Sequence, residues 1–446
     1  MKKTLPLVIS VLFGVVSPFA SAADIAQIYH QAKETNPTLL QVQANKNQAF
    51  EAINASDAAN LPQISLSASS TYYKNFSGDA ISTTGYGNHL VANTAGVTLS
   101  QSIFNRQNWE KSNIAELSAR AVDAQYAVAQ QSLMYNTVDK YFAVLGAKDQ
   151  LKFVQAEKAT VSRQLEQIKQ RFHVGLSAMT DVHSAQAQYD AVLAQEIAAQ
   201  NELTNSYEAL RELAGQYYDA LDELDTKRLQ LINPTQNVDT FIKVAEEKNY
   251  QLLSLRLSQQ AAKKQISYAG KAADPTVSLS ASYGYTGYNY PSDNSASITD
   301  YDQDSLNGSV GLNFSLPLYT GGSISSNVKQ QEFAYIAASQ QLQATHRSVI
   351  TSVHMAYNNI KANIAQIKAY EQAVVSAQSS LSATEAGFEV GTRTIVDVLD
   401  STQTLYEQKE NLSKARYNYI RANLALKQAV GSLTENDIVM VNKLLK

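Results

Sequence analysis

The 446-residue sequence carries 36 basic and 40 acidic side chains, a formal charge of −4, and only 17% of its residues are charged; soluble domains average about 25%. A mildly acidic chain with no basic stripe has nothing with which to neutralise phosphates, which excludes nucleic acid as a partner. The chain has no cysteine, which excludes disulfides, thiolate chemistry and a lipidated cysteine anchor.

Met1-Lys2-Lys3 is a basic start, Leu5 to Phe19 is an apolar stretch, and Ala20-Ser21-Ala22 is a small-residue cleavage site. Residues 1–22 are therefore predicted to be a secretory signal, cut after Ala22 or one residue later. Its removal takes away Lys2 and Lys3 and leaves 34 basic against 40 acidic residues, a net charge of −6. The apolar stretch is too short for a stop-transfer helix, and no other window offers ~18 uninterrupted apolar residues. No spanning helix is expected in the mature chain.

The remainder reads as a tandem duplication. Asn36 to Tyr72 resembles Asn249 to Tyr285, and Ser65-Leu66-Ser67-Ala68-Ser69 recurs as Ser278-Leu279-Ser280-Ala281-Ser282. Tyr141 falls on Tyr357 and Gly215 on Gly431. The first repeat is placed at 23–232 and the second at 233–446. Each opens with a helical pattern, roughly Ile25 to Ala59 and Val238 to Ala272, read as helices.

After Pro62 and Pro275 the apolar period changes to two. Strands are predicted at about 62–75 and 90–104 in the first repeat, and at about 275–287 and 307–319 in the second. Ile64, Leu66 and Ala68 alternate with serines, and Val310, Leu312, Phe314, Leu316 and Leu318 alternate with small polar residues. One reading is a hairpin packed on a soluble core. The other is a membrane barrel, apolar towards lipid and polar towards a wet lumen. The nearly uncharged Ser/Thr/Gly/Asn face and the tyrosine-rich connections (Tyr72, Tyr73, Phe76, Tyr86; Tyr288, Tyr290, Tyr301) favour the barrel. Four strands cannot close a barrel, because the smallest have about eight. Three chains sharing one barrel supply twelve strands and leave a lumen open, so a homotrimer is expected.

No proline falls between Pro62 and Pro234, or after Pro317. Proline breaks helix interiors, so these gaps admit long helical hairpins, predicted at 106–214 and 323–430. Their first arms run about 66 residues, or about 100 Å at 1.5 Å per residue. Ile360, Ile367, Val374, Leu381 and Phe388 are spaced by seven, as are Val398, Leu405, Leu412, Tyr419 and Leu426, and also Val154, Val161 and Ile168. This repeat specifies left-handed coiled coils. Gly175 and Gly391 become tight turns between antiparallel arms. Segments 214–238 and 431–446 are read as an equatorial belt.

The second turn leads into Asp397 and Asp400, which share a helix face at i,i+3. Thr394-x-x-Asp397 is equally a capping box, which gives Asp397 a purely structural alternative role. Arg393 is placed either as an ordinary i,i+4 partner of Asp397 or as a contact to another element. The six histidines lack metal-ligand spacing, and no nucleophile elbow or phosphate loop is present, so no cofactor or metal is expected and an enzyme reading has no residues to rest on.

Gly391 to Asp400, Arg171 to Leu176, Ser315 to Gly322, Gln101 to Phe104, Ala373 to Leu381 and Ala415 to Tyr419 together make the chain resemble the outer-membrane efflux protein family over nearly all its mature length. The resemblance implies a mostly α protein with a twelve-stranded membrane β-barrel and an α-helical periplasmic tunnel, assembled as a homotrimer in outer-membrane lipid. It implies a passive duct for multidrug efflux and type I secretion, recruited by a periplasmic adaptor and an inner-membrane pump of RND or ABC type. It assigns Asp397 and Asp400 to a selectivity ring at the periplasmic entrance. Arg393, Thr180, Asp181 and Phe388 become a gate latch, and Gly175 and Gly391 adaptor-docking tips. The family usually has tyrosine where this chain has Phe388, so a hydroxyl contact to Asp181 is lost and closure is expected to lean on Arg393. The competing reading is a trimeric coiled-coil adhesive or structural protein without transport.

Overall fold

The computed structural model describes residues 23–74, 89–289 and 303–446. The predicted signal, and Phe76, Tyr86, Tyr290 and Tyr301, lie outside the described residues. In chain order the elements are α1 (Ile25–Thr35), α2 (Pro37–Asp57), β1 (Gln63–Lys74), β2 (His89–Phe104), α3 (Arg106–His173), α4 (Met179–Ala214), α5 (Val238–Lys248) and α6 (Tyr250–Gly270). There follow β3 (Thr276–Asn289), β4 (Gln303–Ser315), α7 (Ser323–Glu389), α8 (Ile395–Val430) and α9 (Glu435–Asn442).

Each repeat opens on two helices, α1 and α2 in the first and α5 and α6 in the second. The break falls at an asparagine in extended conformation, Asn36 in the first repeat and Asn249 in the second. Asn36 Nδ2 donates to the Leu213 carbonyl at 3.1 Å, and Asn249 Nδ2 donates to the Ala429 carbonyl at 2.8 Å. Each side chain thus satisfies a carbonyl left open at the end of α4 or α8. Pro37 follows the first break but Tyr250 follows the second, so asparagine rather than proline is the common cause. Gly431 caps α8 at φ +80°, and a Cβ there would lie 2.5 Å from the Lys248 carbonyl oxygen. Both its conformation and the close approach require glycine.

The strands form one antiparallel sheet in the order β1-β2-β3-β4, with Leu66 opposite Val97 and Leu279 opposite Leu312. Among the described residues β1 and β4 are each paired on one side only. Several apolar side chains on the sheet are left uncovered by the described residues: Leu66 is 79% exposed and Leu312 72%. The last strand ends at Ser315, not at 319 as the alternation through Leu316 and Leu318 predicts. Pro317 has no N–H to give to a ladder, so pairing stops at Ser315 opposite Thr276.

The contacts divide the chain into two compact units, each drawn from both repeats. The first comprises the chain up to Leu40, Ala129–Asn249 and Val349–Lys446. Its core includes the fully buried Tyr141 and Phe142 and the heptad residues Val161, Ile168, Ile360 and Ile367. The buried residues of α4 include Ala185, Val192, Ala199 and Ser206, again every seven residues. The predicted equatorial segments meet through a bridge between Leu224 and Leu445. Tyr141 Oη reaches both the Ala23 and Asp222 carbonyls, at 3.1 and 2.8 Å, and so ties the start of the described chain to this segment. The second unit, Gln41–Val128 and Tyr250–Ser348, holds the sheet, and ion pairs Lys46–Asp123 and Arg106–Asp274 link its parts.

Candidate functional site

Both helical turns belong to the first unit, and each begins with the same device. Gly391 (φ +80°) follows α7, and its N–H donates to the Phe388 carbonyl at 3.2 Å while that of Thr392 donates to Gly387 at 2.8 Å. Gly175 (φ +78°) follows α3, with its N–H bonded to Phe172 and that of Leu176 to Arg171. These bonds satisfy the last carbonyls of α3 and α7 and reverse the chain in a few residues.

Thr394 then caps α8. Its backbone N–H and its hydroxyl donate to Asp397 Oδ2 at 2.8 and 2.9 Å, and the Asp397 N–H donates back to the hydroxyl oxygen at 3.2 Å. The backbone and hydroxyl bonds from Thr394, with the Arg393 guanidinium as a smaller contribution, hold the Asp397 carboxyl below its ordinary range. Asp397 is thus a helix cap by geometry. It remains half-exposed, with Asp400 exposed one turn further on, while Val398 and Leu399 between them, and Ile395 before them, are buried.

At the other turn Ser177 Oγ donates to Asp181 Oδ2 at 2.7 Å, and the Ala178 N–H donates to the same oxygen at 3.2 Å. Thr180 is exposed beside it, as is Arg393 on its own turn. Within one chain, Asp181 is therefore engaged by its own turn, and Arg393 acts on Asp397 in its own. The side chain that the structure brings to Phe388 is Arg171, whose guanidinium carbon lies 4.5 Å from the ring centroid. That places a cation over an aromatic face and ties α3 to α7. Gly387, one residue before Phe388, is packed against Arg393: a Cβ there would lie 2.8 Å from Arg393 Cγ.

Beneath the turns the four long helices share one buried seam. Val161, Leu165 and Ile168 of α3, Ala185 and Val192 of α4, Leu381 of α7, and Val398 and Leu405 of α8 belong to it, with Phe388 packed on its edge. Each fully buried aliphatic residue of this kind is worth about 1.5–3 kcal/mol. The turns themselves expose Val174, Leu176 and Val390. Sequence reasoning missed Arg171 and Ser177. Nothing local marks Arg171 as a partner of a ring 217 positions away, and Ser177 stands before an alanine at the cap position.

A family model described as outer membrane efflux protein matches residues 28–216 and 241–432, one block per repeat. The chain is 49% identical over 446 residues to the protein named Outer membrane protein TolC of Vibrio cholerae, covering 100% of this chain and 99% of that relative. It is 26% identical over 347 residues to Alkaline protease secretion protein AprF of Pseudomonas aeruginosa, covering 77% of this chain and 71% of the other. The crystal structure of the outer membrane protein VceC of Vibrio cholerae superposes with a TM-score of 0.74 at 22% identity, over 91% of this chain and 96% of that one.

Proposed function

We infer that this chain, which belongs to the outer membrane efflux protein family, is one third of an outer-membrane exit duct, three copies closing a twelve-stranded barrel over an α-helical periplasmic tunnel. The observation that carries this reading is the sheet. Among the described residues, four strands with two unpaired edges and exposed Leu66, Val310 and Leu312 form no closed hydrogen-bond network and leave these apolar side chains uncovered. In lipid an open edge is not tolerated, so neighbouring copies must supply the missing strands. Apolar residues then face hydrocarbon, and the serines and threonines, such as the bonded pairs Ser69–Thr94 and Ser282–Ser309, face water.

The two turns are then the periplasmic end. Threefold repetition sets six carboxylates, Asp397 and Asp400 of each copy, around one axis, where they select for cations. Arg393 with Thr180 and Asp181 latches neighbouring hairpins, and the Phe388 ring under Arg171 holds two arms of one chain together. The exposed apolar residues around Gly175 and Gly391 dock a periplasmic adaptor, which brings an inner-membrane pump of RND or ABC type. Drugs or secreted protein pass without chemistry in the duct. Planar-bilayer recording tests the reading. The purified protein should give discrete cation-selective channels, with selectivity reduced in Asp397→Ala/Asp400→Ala; absence of channels would refute the duct.

A further inference from the structure

Glu157 stands out among the acids of the first unit. It is 6% exposed, and its Oε1 has no hydrogen-bond partner. It lines a cavity of about 300 Å³ between α3, α4 and α8, together with Glu407 and Glu410. Phe153 and Tyr406 form apolar walls, and Gln195 adds an amide. Among the described residues no nearby cation pairs with Glu157; one is held by a residue outside the cavity and two by residues of its lining. Lys158 pairs with Glu196 of α4, Lys414 pairs with Glu410, and Lys409 lies 5.0 Å from the Tyr406 ring centroid. A buried carboxylate is stable only when paired or neutralised.

We propose that this cavity binds a small primary ammonium ion of the alkyl diamine class, with Glu157 and Glu407 as its anionic anchors and Phe153 and Tyr406 flanking the carbon chain. An organic ammonium fits better than a metal, because no group of three or more His, Asp or Glu among the described residues is placed to hold one. Ring faces favour alkylammonium groups, and the volume suits a short chain rather than a bare ion. Burial, with the neighbouring Glu410 charge adding to it, pushes the Glu157 carboxyl up to about 7. The Glu157 anchor is therefore charged above neutrality and protonated below it.

This site is separate from the entrance aspartates, and its test distinguishes the two. Calorimetric titration of the purified full-length protein with 1,4-diaminobutane at pH 8.5 should show saturable binding, weakened at least tenfold in Glu157→Gln and at pH 5.5. Glu407→Gln should weaken it as well, and Asp397→Ala/Asp400→Ala should leave it intact. The neutral isostere 1,4-butanediol should not bind. Absence of saturable binding at pH 8.5, affinity unchanged in Glu157→Gln, loss of binding in the double aspartate variant, or equal binding of the diol would each overturn the assignment.

Discussion

The Arg171 guanidinium lies over the Phe388 ring, 4.5 Å from its centroid, and so joins the last turn of α3 to the last turn of α7. A cation over an aromatic face is worth about 0.5–1 kcal/mol at an exposed site. If closing the entrance depends on this contact, Phe388→Leu shifts a two-state gate by about two- to fivefold towards open in each chain. Phe388→Tyr, which keeps the ring, should stay closed. Single-channel recording reads the difference, and Arg393→Ser should raise conductance on its own if the latch exists.

Thr394 and Asp397 give a pH prediction. The folded-state carboxyl is held below its ordinary range, so the bonds it makes favour the folded turn above that range and are lost as pH falls through the folded value. Thr394→Ala removes the hydroxyl and leaves the backbone N–H. Cation selectivity, followed by reversal potential, should then disappear at a higher pH in Thr394→Ala than in the wild type. Coincident titrations would mean that Asp397 does not contribute to selectivity.

Gly215 and Gly431 occupy equivalent helix ends with φ of +79° and +80°. They differ in surroundings. A Cβ at Gly431 meets the Lys248 carbonyl oxygen at 2.5 Å, whereas one at Gly215 meets the Thr35 side chain, at 3.4 Å or more. Left-handed strain of about 1–3 kcal/mol is common to both, and backbone collision is added only at Gly431. Gly431→Ala should lower the melting temperature clearly more than Gly215→Ala.

Much of the long-helix architecture is legible because its apolar residues are large. Ile360, Ile367 and Leu381 announce their period, and the same residues are buried. On α4 the buried row runs through Ala185, Val192, Ala199 and Ser206, where three of the four side chains are too small to register as a hydrophobic stripe, so the sequence pattern there is weak. Alternation alone carries the strand prediction past Ser315, since Leu316 and Leu318 keep the period while Pro317 ends the hydrogen bonding. At the turns, Thr394-x-x-Asp397 exposes its cap in one line of sequence. The Arg171–Phe388 contact is set by tertiary packing between two repeats and leaves no local trace.

Glu157 supplies a stability test independent of any ligand. Its folded carboxyl is raised to about 7, so the protonated form is favoured on folding, and the cost of the buried charge grows as pH rises from the ordinary carboxylate range through 7. Glu157→Gln should therefore raise the melting temperature at pH 8.5 and change it little at pH 4. Differential scanning calorimetry at the two pH values checks this.

The claim beneath all the others is that one chain contributes four strands to a wall that only several copies complete. Native mass spectrometry of the protein released from detergent micelles addresses it directly. A single species of three chains that resists dissociation until the sheet unfolds is the expected result. A stable, folded single chain, or an assembly of two, would contradict it.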